Sequence, residues 1–359
     1  MRILQIIDSL EAGGAERMAV TYANALVEKI DFSGIVVTRK EGVLRDLLVE
    51  NVSYFFIFKK HKIDLKALFK LKRIVFENQI THIHAHSSSF FTAFLLKIIY
   101  PNVSLIWHDH YGNSEFLEKR SKIGLRIMIP FFYGVISVNT KLKTWAEKNK
   151  LSNNIIYLPN FPSKGKEVTE HTFLKGSNRK RIVCLANLRF QKNHFLLLEV
   201  ASKIKKSKPD WTFHLVGKDF HDDYSKQIKK KIVQLKLENH VFIYGSKQDV
   251  GAILEQSDIA ILTSLSEGLP VSLLEYGWFK KPVIVTSVGE IPSLIKSGIN
   301  GFIVPSQDET SFYDALILYI ENDALQKEMG NNLYQDVVKQ YSESNIVEKY
   351  LFWLQNKLK

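Results

Sequence analysis

The sequence predicts an α/β protein made of two doubly wound parallel sheets. Three observations carry that reading. Short β-branched runs alternate with helical patterns through both halves, as βα units do. The alternation breaks once, at Pro159-Asn160-Phe161-Pro162 and the polar stretch after it, which reads as a connector. The chain has 359 residues, and at about 150 residues per domain that length favours two domains.

In the first half, strands are expected at Ile3–Ile7, Gly34–Thr38, Ser53–Phe58, Ile80–Ala85, Ser104–His108, Gly134–Val138 and Ile155–Leu158. Helical patterns lie between them at Glu16–Lys29, Leu65–Glu77 and Phe90–Ile99. The apolar stretch from Ile123 to Val138 is interrupted by Arg126, Pro130 and Gly134. It reads as a buried helix followed by a strand, not as a membrane span. In the second half, strands are expected at Arg181–Ala186, Thr212–Gly217, Val241–Gly245, Ile259–Thr263, Pro282–Thr286 and Gly301–Val304. The tail from Ser342 to Leu358 is a helix, with Ile346, Tyr350, Leu351 and Leu354 at helical spacing. The boundaries are 1–160 for the first domain, 161–180 for the connector and 181–340 for the second domain.

Hydrophobic residues make up 45% and charged residues 24%, which fits a globular chain and argues against disorder. The single cysteine, Cys184, excludes a disulfide framework and a Cys-based zinc finger. It makes a reducing compartment the default. The opening run MRILQIIDSL is too short in apolar residues for a signal peptide, so a cytoplasmic protein is expected. The net charge of +12 is uneven: residues 1–160 carry 22 Lys+Arg against 14 Asp+Glu, and residues 182–340 carry 18 against 19. A basic first half points to an anionic partner: nucleic acid, a phosphorylated substrate or an acidic membrane face.

Ligands of doubly wound sheets bind outside the carboxyl ends of strands, so the motifs are sought there. Gly13-Gly14-Ala15-Glu16-Arg17 follows the first strand. Its glycines let a backbone approach a ligand, and the helix start offers N–H groups to an anion. The GxGxxG spacing is missing, and no acidic residue ends the second strand, which disfavours a dinucleotide site. A tight strand-to-helix turn would use the same glycines. Asn187-Leu188-Arg189-Phe190-Gln191-Lys192-Asn193-His194 follows the strand at Arg181 and opens the next helix. Arg189 and Lys192 there suit a diphosphate, one as a fork and the other as a point charge; in isolation they would also pass for solvated loop cations. Glu267-Gly268-Leu269-Pro270-Val271-Ser272-Leu273-Leu274-Glu275 is the most specific segment. Pro270 suits the first turn of a helix, the amides around Leu269–Val271 would face a phosphate, and Glu275 could accept hydrogen bonds from ribose hydroxyls. The sequence has no Asp-x-Asp; Asp222 and Asp223 are adjacent. With Arg189 and Lys192 supplying positive charge, no metal and no other cofactor is expected.

Together these segments resemble the retaining, nucleotide-sugar-dependent glycosyltransferases of family 4, whose fold is GT-B: two Rossmann-like domains facing across a cleft. The matching pieces are GGAER, LANLRFQKNH, HLVGKD, VFIYGSKQDV and the run from SDIAILTSLSEGLPVSLLEYG to GINGFIV. The resemblance implies that the second domain binds a nucleotide-sugar, a UDP-sugar first. The first domain would receive a lipid-linked or saccharide acceptor and be joined by the tail helix, 341–359. Arg189 and Lys192 would hold the donor diphosphate, Glu275 the ribose, and Glu267 would lie by the sugar. Gly268, Leu269, Pro270 and Val271 would contact sugar and phosphate. Gly217, Tyr244, Gly245 and Ser246 would line the nucleotide pocket, and Gly14 would approach the diphosphate. A histidine after the fifth strand would meet the sugar; His108 is the first choice and His110 the second, and His86 is a further candidate. Three departures stand out: the usual Asp before the sixth strand is replaced around Gly134, Asn193 stands for a frequent glycine, and Glu290 follows Gly289 where a second glycine is usual. The implied setting is bacterial surface polysaccharide assembly at the inner face of the membrane.

Other patterns have plainer readings. His82, His84 and His86 alternate on one strand face and invite a zinc site, but a buried parallel strand makes structural histidines the preferred reading. Lys59, Lys60, Lys62, Lys66, Lys70, Lys72 and Arg73 surround an amphipathic run, and Lys119, Arg120, Lys122 and Arg126 form a second basic stretch. These are read as peripheral docking on an anionic membrane, weighed against a solvated helix face. Nucleic acid is disfavoured because no recognition motif accompanies the charge. A sugar phosphorylase of the same fold and an inactive membrane-associated nucleotide-sugar-binding protein are the competing functions.

Overall fold

The computed structural model describes residues 1–11, 13–112, 114–162 and 171–356. The chain forms two compact units, Met1–Lys166 with Glu343–Lys359, and Glu167–Ser342. The first unit runs β1 (Arg2–Ser9), α1 (Gly14–Leu26), β2 (Phe32–Lys40), β3 (Ser53–Phe56), α2 (Leu65–Glu77), β4 (His82–His86), α3 (Phe90–Ile99), β5 (Ser104–Asp109), α4 (Ile123–Met128), β6 (Gly134–Ser137), α5 (Thr140–Lys148) and β7 (Ile155–Tyr157). The second runs β8 (Arg181–Leu185), α6 (His194–Ser207), β9 (Thr212–Val216), α7 (Asp223–Gln234), β10 (Val241–Gly245), α8 (Val250–Glu255), β11 (Ile259–Leu262), α9 (Val271–Trp278), β12 (Val283–Thr286), α10 (Ile291–Leu294), β13 (Phe302–Val304), α11 (Glu309–Ile320) and α12 (Asp323–Tyr341). The last helix, α13 (Glu343–Gln355), returns to the first unit.

The sheets are ordered β3-β2-β1-β4-β5-β6-β7 and β10-β9-β8-β11-β12-β13, with every ladder parallel. Both are α/β sheets of the Rossmann-like kind that the strand–helix alternation predicts. In each sheet the order reverses once, between β1 and β4 and between β8 and β11. The central strands β4, β8, β9, β11 and β12 are buried along their whole length, because helices cover both faces. Some helix starts carry side-chain caps: Asp64 accepts from the Ala67 amide at 3.1 Å, and Asp222 from the Ser225 amide at 3.0 Å.

Two sequence expectations change. The helix at Ile123 is not buried: Leu125 and Ile129 face the core, while Ile123 and Ile127 are 73% and 62% exposed. A helix this short, set on the sheet's outer layer, has only one side to bury. Residues 163–170 of the connector lie outside the described residues, but 171–175 are seated on the second unit. There Thr172 bonds to Asp249, and the Leu174 amide donates to Gln256 Oε1 at 3.0 Å.

Helix α13 is fixed to the first sheet where Gly134 leaves room. The Trp353 indole N–H donates to Asn154 Oδ1 at 2.8 Å, and the Tyr133 hydroxyl donates to the Trp353 carbonyl at 3.0 Å. A Cβ on Gly134 would lie 2.6 Å from both the Asn154 carbonyl oxygen and the Trp353 ring. This contact explains why the residue that stands here is a glycine. We expect Gly134→Ala to destabilise the protein by about 1–3 kcal/mol through overpacking. Gly124→Ala, whose Cβ meets only the end of Met128, should be neutral or stabilising by up to about 1 kcal/mol. Urea unfolding midpoints of the two variants provide the check.

Candidate active site

Each unit gathers its candidate residues at strand ends beside the point where strand order reverses, the place such sheets leave open to ligands. In the second unit, β8 runs on to Ala186 and Leu188, both buried. The Lys218 amide donates to Asn187 Oδ1 at 2.7 Å, and the Leu188 amide donates to the Lys218 carbonyl at 2.9 Å. These bonds hold the exits of β8 and β9 side by side. Gly217 permits that approach: a Cβ there would sit 2.2 Å from the Ala186 carbonyl oxygen. Arg189 then emerges exposed, its guanidinium 4.4 Å over the Phe220 ring, a cation–π platform that limits where it can swing.

Lys192 ends the short turn Phe190–Lys192. Its ammonium meets Glu267 Oε1 at 2.5 Å, and the Ser264 hydroxyl donates to the same oxygen at 2.7 Å. The loops that carry them are laced together. Leu265 N–H donates to the Gln191 carbonyl at 2.7 Å, and the Thr263 hydroxyl donates to the Lys192 carbonyl at 3.0 Å. The loop after β12 joins through Gly289, whose φ of +60° favours glycine and whose missing Cβ would fall 1.9 Å from the Glu267 carbonyl oxygen. Glu290, at φ −97° and ψ 7°, is in a conformation open to any residue. So the backbone requires only the first glycine of the usual pair. Asn193 has φ +48° and ψ 53°, the left-handed conformation that asparagine tolerates next best after glycine.

From Glu267 the chain passes through Gly268, buried Leu269 and Pro270 into α9, which begins at Val271. Pro270 therefore caps the helix (φ −70°, ψ 132°), one position before the first-turn place expected of it. Its backbone is extended while its carbonyl accepts from the Leu273 amide at 3.1 Å, as an N-cap residue's does. Glu275 lies on the second turn and is half-buried. Its neighbour Tyr276 is buried and accepts from the Leu185 amide at 2.6 Å, which ties α9 to the end of β8. At the sheet edge, the Tyr244 hydroxyl accepts from the Lys175 amide at 2.9 Å and contacts His214 Nδ1 at 3.0 Å. Gly245 (φ +69°) faces open space, and Ser246 is exposed.

In the first unit, Gly14 is the exposed first residue of α1, with open space where a side chain would be. Beside it, β4 and β5 carry a ladder of imidazoles. His84 Nε2 meets His108 Nδ1 at 3.0 Å, and His86 Nδ1 meets His110 Nε2 at 3.0 Å. His86 Nε2 meets Gln5 Oε1 at 2.9 Å. His84, His86 and His108 are at most 1% exposed; His84 and His108 meet the Tyr22 ring in T-shaped contacts, and His84 stacks on Tyr350. Burial drives the pKa of all three well below the usual histidine range and that of His110 to about 3, so the rings are neutral. With Gln5 accepting through its carbonyl, His86 is protonated on Nε2, His110 donates from Nε2, and His110 Nδ1 keeps its lone pair. Ring nitrogens of His84, His86 and His108 lie within 4.8 Å of one another, a spacing that also admits a metal ion.

Sequence reasoning missed Gln5, Ser264 and Phe220. Gln5 carried a signal, being a lone polar residue inside the apolar run of β1. Ser264, three residues before Glu267, carried only a weak one. Phe220 carried none, because its role depends on how the loop after β9 folds over.

Two sheets of this order, with ligand-type residues at the reversal points, define the GT-B class of α/β proteins. HepE of Anabaena, solved with UDP and glucose, shares the fold at a TM-score of 0.81 over 99% of this chain and 100% of that one, with 18% identity. Two family profiles match: Glycosyltransferase Family 4 over residues 12–161 and Glycosyl transferases group 1 over residues 165–336. The chain belongs to the family 4-like group 1 glycosyltransferases. A Campylobacter jejuni GalNAc-alpha-(1->4)-GalNAc-alpha-(1->3)-diNAcBac-PP-undecaprenol alpha-1,4-N-acetyl-D-galactosaminyltransferase is 24% identical over 98% of this chain and 97% of its own length. The Staphylococcus aureus poly(ribitol-phosphate) alpha-N-acetylglucosaminyltransferase is 29% identical over 44% of this chain, which spans 31% of that protein.

A histidine whose folded pKa lies below its unfolded value of 6.5 takes up its proton first in the unfolded chain. It therefore withdraws stability as the pH falls through that value. We expect stability to be flat above pH 7 and to drop below about pH 6.5, by up to about 1.4 kcal/mol per pH unit for each of His84, His86 and His108. Denaturant titrations across pH 5–8 test this, and replacing His84 with a neutral isostere such as glutamine should flatten the slope.

Proposed function

We propose that the chain is a retaining hexosyltransferase. It moves a sugar from a nucleotide-sugar, a UDP-sugar first, to a lipid-linked or saccharide acceptor in surface polysaccharide synthesis, without a metal ion. The observation that carries the reading is the Lys192–Glu267 contact, which joins the loops after β8 and β11, with Arg189 three residues before the lysine. The reading is supported by the UDP in the HepE structure and by the acceptors that the relatives' names state.

In this reaction the bond from the sugar's anomeric carbon to the donor phosphate breaks, and negative charge builds on the departing diphosphate. Arg189, Lys192 and the amides at the start of α9 stabilise that charge before water can. Glu275 accepts from the ribose hydroxyls. Glu267 has Oε1 occupied by Lys192 and Ser264, and Oε2 serves the donor sugar. His110 is assigned the sugar contact through its unprotonated Nδ1. His108 is buried and bonded to His84, and it backs the ladder from beneath. The acceptor oxygen attacks from the face the phosphate leaves, and its proton passes to the leaving phosphate oxygen.

Turnover of a UDP-sugar, by hydrolysis or transfer, should fall by about 100- to 1,000-fold in Arg189→Ala and Lys192→Ala, and should be unchanged by EDTA. Activity that EDTA abolishes and divalent ions restore would overturn metal independence. Failure of any UDP-, GDP- or ADP-sugar to raise the melting temperature would overturn the donor assignment.

A further inference from the structure

The first unit carries an apolar surface band that no described residue of that unit covers. Helix α2 buries Ala67, Leu68, Leu71, Ile74 and Val75, yet it has a second apolar stripe: Leu65, Phe69 and Phe76 are 63%, 58% and 68% exposed. At 3.6 residues per turn these three fall within an arc of about 40°, and Lys66, Lys70 and Arg73, the last paired with Glu77 at 2.7 Å, line its flank, with Lys62 in the loop before the helix. The loop before α2 adds Phe58 and Ile63, 58% and 61% exposed.

The band continues across neighbouring elements. Helix α3 packs beside α2 and turns Ile98 outward at 60% exposure, with Phe91 and Phe94 half-buried; Lys62 Nζ lies 5.4 Å from the Phe91 ring centroid. Phe94 meets Phe131 at 5.3 Å. Phe131, Ile127 and Ile123 then extend the apolar surface, at 54%, 62% and 73% exposure, with Lys122 and Arg126 exposed among them. Two cations of the sequence pattern do not belong to this surface. Lys59 is 7% exposed and donates to the Thr92 hydroxyl at 2.6 Å. Arg120 makes a two-point contact with buried Asp109 at 2.7 and 2.8 Å and lies over Tyr111 and Trp145.

We infer that this face, from Phe58 through α2 and α3 to Phe131, is a docking surface for an anionic lipid bilayer. Exposed phenylalanine, isoleucine and leucine side chains ringed by lysine and arginine fit the boundary of headgroups and acyl chains, and the positive charge complements acidic headgroups. No helix among the described residues is long and apolar enough to cross a membrane, so the contact is interfacial. The inference goes beyond the donor chemistry, and its test does not pass through that chemistry.

The experiment is co-sedimentation of the full chain with phosphatidylcholine vesicles, with and without phosphatidylglycerol. Binding should require the anionic lipid and weaken as salt rises. It should fall roughly tenfold or more in Leu65→Ser/Phe69→Ser/Phe76→Ser and in Lys62→Glu/Lys66→Glu/Arg73→Glu. Both variants should keep the wild-type melting temperature and its shift with a nucleotide-sugar, because every altered side chain faces solvent. No binding to anionic vesicles, undiminished wild-type binding in both variants, or self-association that the apolar triple removes would overturn the inference; the last would assign the face to a second copy. Vesicle binding without any nucleotide-sugar response would leave it standing while removing the donor reading.

Discussion

The second unit is organised around one ion pair. Lys192 and Glu267 are 75 residues apart in sequence, yet the loops that carry them are joined by the Leu265 amide on the Gln191 carbonyl and the Thr263 hydroxyl on the Lys192 carbonyl. Glu267 is buried while Lys192 is partly exposed, so removing the lysine would leave a buried carboxylate without its counter-charge. The Ser264 hydroxyl and the close approach of Gly289 both serve the same carboxylate residue. In the proposed reaction the lysine is thus oriented before the diphosphate arrives, and little reorganisation is left for the bound state.

The fold was legible because its central strands are buried on both faces and most strands read as short, largely apolar runs between helical patterns. All thirteen expected strands appear, with ends shifted by a few residues. Boundaries moved at helix starts that no side-chain cap marks: α1 begins at Gly14, two residues before its amphipathic stretch, and α9 begins after Pro270. The candidate motifs could be found because strand ends are where a doubly wound sheet leaves backbone groups open. What could not be read was anything that depends on a partner distant in sequence. The tautomer chain from Gln5 through His86 to His110 spans three strands. The platform under Arg189 comes from a loop 31 residues on, and the left-handed backbone at Asn193 hides behind an ordinary polar residue.

Charge was the least transparent property. A run of lysines and arginines looks uniform in sequence, but the folded chain sorts it. Arg120 becomes a core group clamped to Asp109 between aromatic rings, and Lys59 is drawn under α3. Lys62, Lys66 and Arg73 stay outside beside uncovered phenylalanines. Burial, not composition, decides which cations remain available to a partner.

Helix α13 has a consequence for how the protein is made. Tyr350 is fully buried and stacks on His84 at 5.2 Å, with Tyr22 at 5.3 Å. Its sequence follows the entire second unit. A ribosome delivers residues in order, so the second unit can fold as it emerges, while the first waits with an open wall until α13 has been made. The nascent amino-terminal half is thus the interval in which chaperone capture and aggregation compete, and a truncation that removes α13 would injure the part of the protein that was synthesised before the second unit.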